Sequence, residues 1–266
     1  MNESKKIMLL TIDAGNTNIV FALIADGAVV ERWRLSTRDE RTAEEYMVWI
    51  SQLMQLNGRK IADITGAIIA TVVPQVEFPL TRLCRMYFKC EPMLVGKGGV
   101  DIGIKVDIKN PQDVGADRLV NAVAGKALYG GPLIIVDFGT ATTFDVVGED
   151  GTYLGGVIAP GINLSLSALH QAAAKLPRIA VEAPKKGAKV TGKTTLDAMQ
   201  SGVFWGYVGL IEGIVTRLKD EHSQSMKVIA TGGLAGIFSD QTHSIDEVVG
   251  DLTLQGLRLI YERNCG

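Results

Sequence analysis

Two stretches of this chain repeat one another at long range. Asp13-Ala14-Gly15-Asn16-Thr17-Asn18 and Asp137-Phe138-Gly139-Thr140-Ala141-Thr142 both read D-x-G-[NT]-x-[NT]. Each closes a short apolar run, KIMLLTID at 6–13 and LIIVDFG at 133–139. Each leads into a second apolar stretch, a turn and a third. In the first copy these are NIVFALIA (18–25), Asp26-Gly27 and AVVERWRL (28–35). In the second they are ATTFDVVG (141–148), Glu149-Asp150-Gly151 and TYLGGVIA (152–159). Asp-Gly between strand-forming runs is a strong hairpin signal. One self-match at so long an interval predicts two similar domains, not a solenoid, whose units recur every ~20–50 residues. Gly125 and Tyr129-Gly130-Gly131 interrupt a helical pattern, which places the division at 1–125 and 126–266.

The rest of the pattern alternates helices with strands. Thr42-Ala43-Glu44-Glu45 is a capping box, followed by Tyr46, Trp49, Ile50, Leu53 and Leu56 at helical spacing and by Gly58 as a stop. GAIIATVV (66–73) reads as a buried strand, and a helix is predicted from Gln75 to Phe88. Later helices are predicted at Gly161–Lys175, Thr194–Lys219 and Asp251–Arg263, with a strand MKVIAT (226–231) running into Gly232-Gly233. Strands alternating with helices imply an α/β architecture with mixed or parallel sheets. In the long helix, Gly202, Gly206, Gly209 and Gly213 recur every three or four residues, which fits close packing either inside the domain or across a dimer.

Bulk properties exclude several classes. The chain has 266 residues, 47% hydrophobic, with a net charge of −2. That balance leaves no electrostatic footprint for nucleic acid or an acidic membrane surface. No apolar run reaches the ~18–20 residues needed to span a bilayer. MNESKK followed by a short apolar run that enters Asp13 fits a first core strand better than a signal peptide. Cys84, Cys90 and Cys265 form no C-x-x-C pair and read as reduced thiols of a cytoplasmic protein. His170, His222 and His243 are dispersed, so no zinc site is expected.

The repeated turns carry chemistry. Gly15 has no Cβ, so a phosphate can approach the backbone. Asn16, Thr17 and Asn18 offer donors, and successive N–H groups in a turn form an anion-binding concavity. Asp13 at the strand end can hold Mg2+, usually through water. The second turn repeats these parts with Thr140, Thr142 and Thr143. One D-x-G is an ordinary hairpin turn. Two copies, each after a buried-looking strand, point to a clamp for a nucleotide triphosphate and its metal. Thr231-Gly232-Gly233, after a short strand, suits a loop closing over the nucleoside.

Two such hairpins and a late T-G-G loop resemble the superfamily of actin, sugar kinases and Hsp70. Within it, DAGNTN (13–18), GADR (115–118), DFGTATTFD (137–145) and GGVIAPG (155–161) resemble type III pantothenate kinase, as do KLPRI (175–179) and GKTTLDAMQSG (192–202). The similarity runs from Leu9 to about Gly236. The resemblance implies two ribonuclease H-like (actin-like ATPase) domains, each a mixed sheet with flanking helices. It implies phosphorylation of pantothenate by ATP, the first step toward coenzyme A, with Mg2+ and a monovalent cation, K+ or NH4+. It implies Asp117 as general base, Gly115, Ala116, Arg118 and Thr195 on pantothenate, Asp13 to Asn18 and Thr140 on ATP, and Asp137 on the monovalent cation. It also implies a homodimer with its sites at the subunit interface. Two positions depart from the family pattern: Ile108 stands where a Tyr is frequent, and Thr194 where Asn is common.

The residues around Asp117 leave two readings open. Asn110-Pro111-Gln112-Asp113 is a plausible cap for a helix whose apolar face is Leu119, Val120, Val123 and Ala124, which puts Asp117 near its start. Asp117 is then either a solvated carboxylate favoured by the helix dipole or the base that takes a hydroxyl proton. Arg118 either pairs with Asp117 or receives an anionic ligand. Asp145 is either an inward polar strand residue or a cation or water holder, and the tryptophans are core or interface anchors.

Gly187 to Thr194 fits the Walker A pattern G-x-x-x-x-G-K-[ST]. It proposes a P-loop NTPase, yet RIAVEA is a poor strand and Pro184-Lys185-Lys186 separates it from Gly187. A flexible basic loop leading into a helix is the better account. A third reading is a non-catalytic nucleotide-binding relative that regulates a partner.

Overall fold

The computed structural model describes residues 8–172, 177, 179–185 and 187–265. The reading of residues 1–7, the helix end expected at Lys175, and Lys175, Leu176 and Arg178 of KLPRI lie outside the described residues. The chain divides into two compact units. One comprises Met1–Ile104, Lys109–Ala124 and Leu252–Gly266, the other Lys105–Ile108 and Gly125–Asp251. The division is not linear in sequence: the last helix, assigned above to residues 126–266, belongs to the first unit.

The first unit contains β1 (Met8–Ala14), β2 (Asn18–Ala25), β3 (Ala28–Ser36), β4 (Ile64–Thr71) and β5 (Met93–Leu94), in the order β3-β2-β1-β4-β5. The second contains β6 (Leu133–Phe138), β7 (Ala141–Val147), β8 (Tyr153–Pro160), β9 (Lys227–Gly232) and β10 (Glu247–Val248), in the order β10-β9-β6-β7-β8. The two sheets follow the same path. β1 pairs antiparallel with β2 and parallel with β4, and β6 does the same with β7 and β9. The repeated hexapeptide thus marks a repeated α/β architecture.

Strand alternation sorts the first core into two faces. Leu10 and Ile12 face one side with Phe21, Tyr46, Ile50 and Met54, the last three spaced along α1 (Ala43–Leu56) or its start. Leu9 faces the other side with Ile24, Ile68 and Ala70. There it meets Val120 and Val123 of α3 (Ala116–Tyr129) and Leu257 and Ile260 of α7 (Leu252–Cys265). The Thr42 capping box forms as predicted: Glu45 N–H donates to Thr42 Oγ1 (3.3 Å) and Thr42 N–H to Glu45 Oε2 (2.8 Å). In the second unit, Ile134, Val136, Phe138, Phe144 and Val146 pack on α4 (Ile162–Ala172), α5 (Thr195–His222) and α6 (Ala235–Ser239).

Several local expectations change. The strand expected at 66–73 runs from Ile64 to Thr71. The helix expected from Gln75 to Phe88 is α2 (Pro74–Leu83) followed by a π turn, Cys84–Phe88, closed by left-handed Lys89. Asn110 does not cap α3; Pro111–Asp113 is a separate 3-10 turn, and the helix opens at Ala116. Gly125 does not break α3. It is there because a Cβ would lie 2.9 Å from Ile135 Cδ1 and 3.1 Å from Leu133 Cδ1, so the helix can lie close on β6 only without one. Among the described residues, a Cβ on Gly202, Gly206 or Gly209 of α5 would meet nothing within 4 Å, so these three glycines do not serve packing against them. Among the described residues, no helix is long and apolar enough to cross a membrane.

The packing of α7 gives a stability prediction. A Cβ on Gly256 would lie 2.1 Å from the Val120 carbonyl oxygen and 2.7 Å from Val120 Cγ1. Backbone cannot yield as a side-chain tip can, so Gly256→Ala forces α7 off α3. Overpacking of this kind costs about 1–3 kcal/mol. Thermal unfolding of the variant should show a clearly lowered Tm.

Candidate active site

In the first unit the site is built at the carboxyl ends of parallel β1 and β4, where open α/β sheets place their ligands. Asp13 is half-buried at the end of β1, and Asn16 and Thr17 are exposed at the turn. Gly15 N–H donates to Asn18 O (3.0 Å), closing the turn. The Ala14 carbonyl accepts from Val72 N–H (3.2 Å) and Thr71 Oγ1 (3.3 Å). These bonds seat the base of the turn on the end of β4.

Asp117 comes to the same end of the sheet. A Cβ built on Gly115 would lie 2.5 Å from Asp117 Oδ1 and 3.3 Å from Val72 Cγ1, and Val72 is the residue bonded to Ala14. Gly115 therefore lets the carboxylate fold back beside the β4 terminus. Asp117 is the second residue of α3, and its Oδ1 accepts the Arg118 N–H (2.8 Å). Burial pushes its carboxyl above the usual range, opposed by the Arg118 N–H and then the Arg118 charge. A solvated helix-start carboxylate would show the opposite direction. That direction argues against the solvated reading, and a raised pKa strengthens a carboxylate as a proton acceptor.

The second unit carries an equivalent turn. Gly139 N–H closes the second turn on Ala141 O (3.1 Å), one residue nearer than the partner of Gly15 in the first. Thr140 is exposed at the turn. Asp137 pairs in register with buried Thr231, and Phe138 with Gly232. Gly232 has φ +92°, and a Cβ there would lie 2.6 Å from Phe138 O and 2.8 Å from Asp137 Oδ1. The T-G-G loop therefore lies directly against Asp137, and Gly233 beside it is exposed. Among the described residues, no three His, Cys, Asp or Glu side chains converge on a metal position. Any cation at Asp137 would complete its shell with hydroxyl, carbonyl, water or ligand oxygens.

Asp145 resolves toward structure. It is fully buried and accepts from Tyr153 Oη (2.8 Å) and Thr143 Oγ1 (3.1 Å). Ile108 belongs to the second unit, where its Cγ2 would lie 3.5 Å from a Cβ built on Gly155. Thr195 is exposed at the first position of α5.

The Walker-like stretch lacks the P-loop geometry. No strand leads directly into Gly187 among the described residues. Thr194 spends its hydroxyl on Asp197 N–H (3.1 Å), and the Asp197 carboxylate accepts Thr194 N–H (3.2 Å). A carboxylate already occupies the helix N-terminus where a P-loop holds phosphate. The loop also folds back on α5: Ser201 Oγ donates to Val190 O (2.5 Å).

Thr37 and Gly161, each directly after the third strand of its unit, were not singled out by sequence reasoning. Thr37 bonds Gly15 and Thr17, and Gly161 bonds Thr140. Gly161 ends the GGVIAPG stretch, and nothing local distinguishes Thr37 from other strand-end hydroxyls.

A repeated mixed-sheet unit, with an Asp-containing glycine turn at the end of its central strand, defines the actin-like phosphotransferase class. Solved structures agree on the fold. A Campylobacter jejuni protein described as a conserved Baf family transcriptional activator aligns with a TM-score of 0.61 at 19% identity, over 96% of this chain and 98% of that one. The activator of 2-hydroxyisocaproyl-CoA dehydratase from Clostridium difficile, with bound ADPNP, aligns at 0.54 and 11% over 97% of each. At such identities the likeness speaks for the fold alone. Residues 9–217 match the family model for type III pantothenate kinase. A type III pantothenate kinase of Paramagnetospirillum magneticum is 58% identical over 97% of this chain and 98% of its own length, and one of Maricaulis maris 55% over 97% and 99%. The chain belongs to the type III pantothenate kinase family.

Proposed function

We propose that the protein transfers the γ-phosphoryl group of ATP to the primary hydroxyl of pantothenate, giving 4'-phosphopantothenate, the first step of coenzyme A biosynthesis. The observation that carries this reading is Asp117: a partly buried carboxylate with a raised pKa, set beside the end of β4 on which the first phosphate turn is seated. The turn from Asp13 to Asn18 receives phosphate through N–H, amide and hydroxyl donors. Thr140 makes the corresponding contact from the second turn, and Gly232 and Gly233 border the nucleoside. Gly115, Ala116, Arg118 and Thr195 are the proposed pantothenate contacts, with Arg118 suited to its carboxylate. As the pantothenate oxygen attacks phosphorus, its proton passes to an Asp117 carboxylate oxygen and the bond to ADP breaks. Little covalent chemistry is asked of the protein, so positioning and electrostatics dominate.

Mg2+ with the nucleotide at Asp13, and K+ or NH4+ at Asp137, would neutralise charge that develops on the phosphoryl oxygens. We further propose a homodimer, supported by the open glycine face of α5, where among the described residues nothing lies within 4 Å of a Cβ built on Gly202, Gly206 or Gly209. A cytoplasmic location suits such an enzyme.

The test is ATP-dependent phosphorylation of pantothenate by wild type and Lys193→Ala. Lys193 is exposed on the Walker-like loop and has no phosphate contact in this reading, so the variant should largely keep turnover. Loss of turnover in Lys193→Ala would restore the P-loop reading. Nucleotide binding by wild type without pantothenate phosphorylation would leave the regulatory relative.

A further inference from the structure

The phosphate turn of the first unit is tied down by a residue outside it. Thr37 follows the last residue of β3 and touches the turn twice. Its Oγ1 donates to Gly15 O (2.6 Å) and its N–H donates to Thr17 O (3.0 Å). Both partners lie inside the D-x-G-N-T-N hexapeptide. The hydroxyl bond fixes the plane of the peptide between Gly15 and Asn16. A trans peptide sets C=O and N–H antiparallel. With the Gly15 carbonyl held toward Thr37, the Asn16 N–H must point away from it.

The segment that carries Thr37 is itself anchored. Arg41 Nη1 donates to Ser36 O (3.2 Å), and its guanidinium lies 5.5 Å from the centroid of the buried Tyr46 ring. The second unit uses the same position in its repeat. Gly161 follows the last residue of β8, and its N–H donates to Thr140 O (3.2 Å). A Cβ on Gly161 would lie 2.3 Å from that oxygen. In each unit the residue after the third strand closes on the phosphate turn, once with a hydroxyl and once by close backbone approach.

We infer that Thr37 is a positioning residue for nucleotide binding: its hydroxyl holds the Gly15–Asn16 peptide with the N–H directed to phosphate. The inference rests on the reading of this turn as an ATP phosphate site. Thr37→Val keeps shape and the backbone bond but removes the donor. Losing one such bond to an oriented peptide corresponds to a roughly tenfold change in affinity. Titration calorimetry with a non-hydrolysable ATP analogue should show that rise in Kd. KM for ATP should rise in parallel, with KM for pantothenate within twofold of wild type. Thr37→Ser should restore both values. A Kd unchanged in Thr37→Val, a KM for pantothenate raised as much as that for ATP, or a Thr37→Ser as weak as Thr37→Val overturns the inference. Should Thr37→Val not fold, Thr37→Ala against Thr37→Ser makes the same comparison of hydroxyl with none. Asp13→Asn separates the two levels. If it weakens analogue binding and Thr37→Val does not, the role of Thr37 alone fails. If neither weakens it, the nucleotide reading of the turn fails as well.

Discussion

Asp117→Asn is expected to lower kcat for pantothenate phosphorylation by about 10²–10⁴-fold, the range a positioned general base contributes. Binding of the ATP analogue should change little, because Asp117 lies at the start of α3 and not on the phosphate turn. The protein should be no less stable. Burial raises the folded pKa of Asp117 above its unfolded value, so the group favours the folded state when protonated. That contribution is complete below the unfolded pKa of ~3.9 and is lost as pH rises through the raised folded value. At neutral pH the ionised carboxylate works against folding. Asparagine removes the charge and keeps an oxygen for the Arg118 N–H, bonded at 2.8 Å in the native chain. A Tm equal to or above that of wild type, with turnover lost, is the expected pair of results. A variant that retains turnover would remove Asp117 from the mechanism. In wild type, kcat/KM should fall as pH drops through the raised value, placing the acid limb above that of an ordinary aspartate.

Gly232→Ala is the second large effect. Its φ of +92° disfavours any side chain, and a Cβ would come within 2.6 Å of Phe138 O, 2.7 Å of Phe138 N and 2.8 Å of Asp137 Oδ1. Two of these are backbone atoms of β6, so the strand end or the loop has to move. Strain of this kind costs about 2–4 kcal/mol, a Tm loss of roughly 5–10 °C. On the proposed role of Asp137, the movement also disturbs the monovalent cation. Wild type should lose most of its turnover when K+ is replaced by Na+, and Gly232→Ala should need several-fold more K+ for half-activation. Equal K+ requirements in the two proteins, with the Tm lowered, would confine Gly232 to stability and count against the cation role of Asp137.

The two hairpin units were legible because their signals are local. D-x-G-[NT] at the end of an apolar run dictates a turn wherever it occurs, and the spacing of apolar residues dictates the strands beside it. The capping box at Thr42 was legible for the same reason: its partner lies three residues away. Asp117 was legible as a candidate, through its motif and its place near a helix start. Its raised pKa was not, because the cause is burial beside the end of β4, which is remote in sequence.

What the sequence by itself determined is the repeat: two strand–turn–strand–turn–strand units, each presenting an aspartate and a glycine turn, and hence an α/β phosphotransferase. What only the tertiary structure decided depends on contacts distant along the chain. α7 belongs to the first unit because Gly256 allows it against Val120. α3 continues through Gly125 because the side chains of Ile135 and Leu133 occupy the space a Cβ would need. The Walker-like loop fails as a phosphate site because Asp197 caps its helix. The repeated turn at Asp13–Asn18 is held by Thr37, which lies one strand beyond the hairpin, and only the folded sheet brings that hydroxyl to the Gly15 carbonyl.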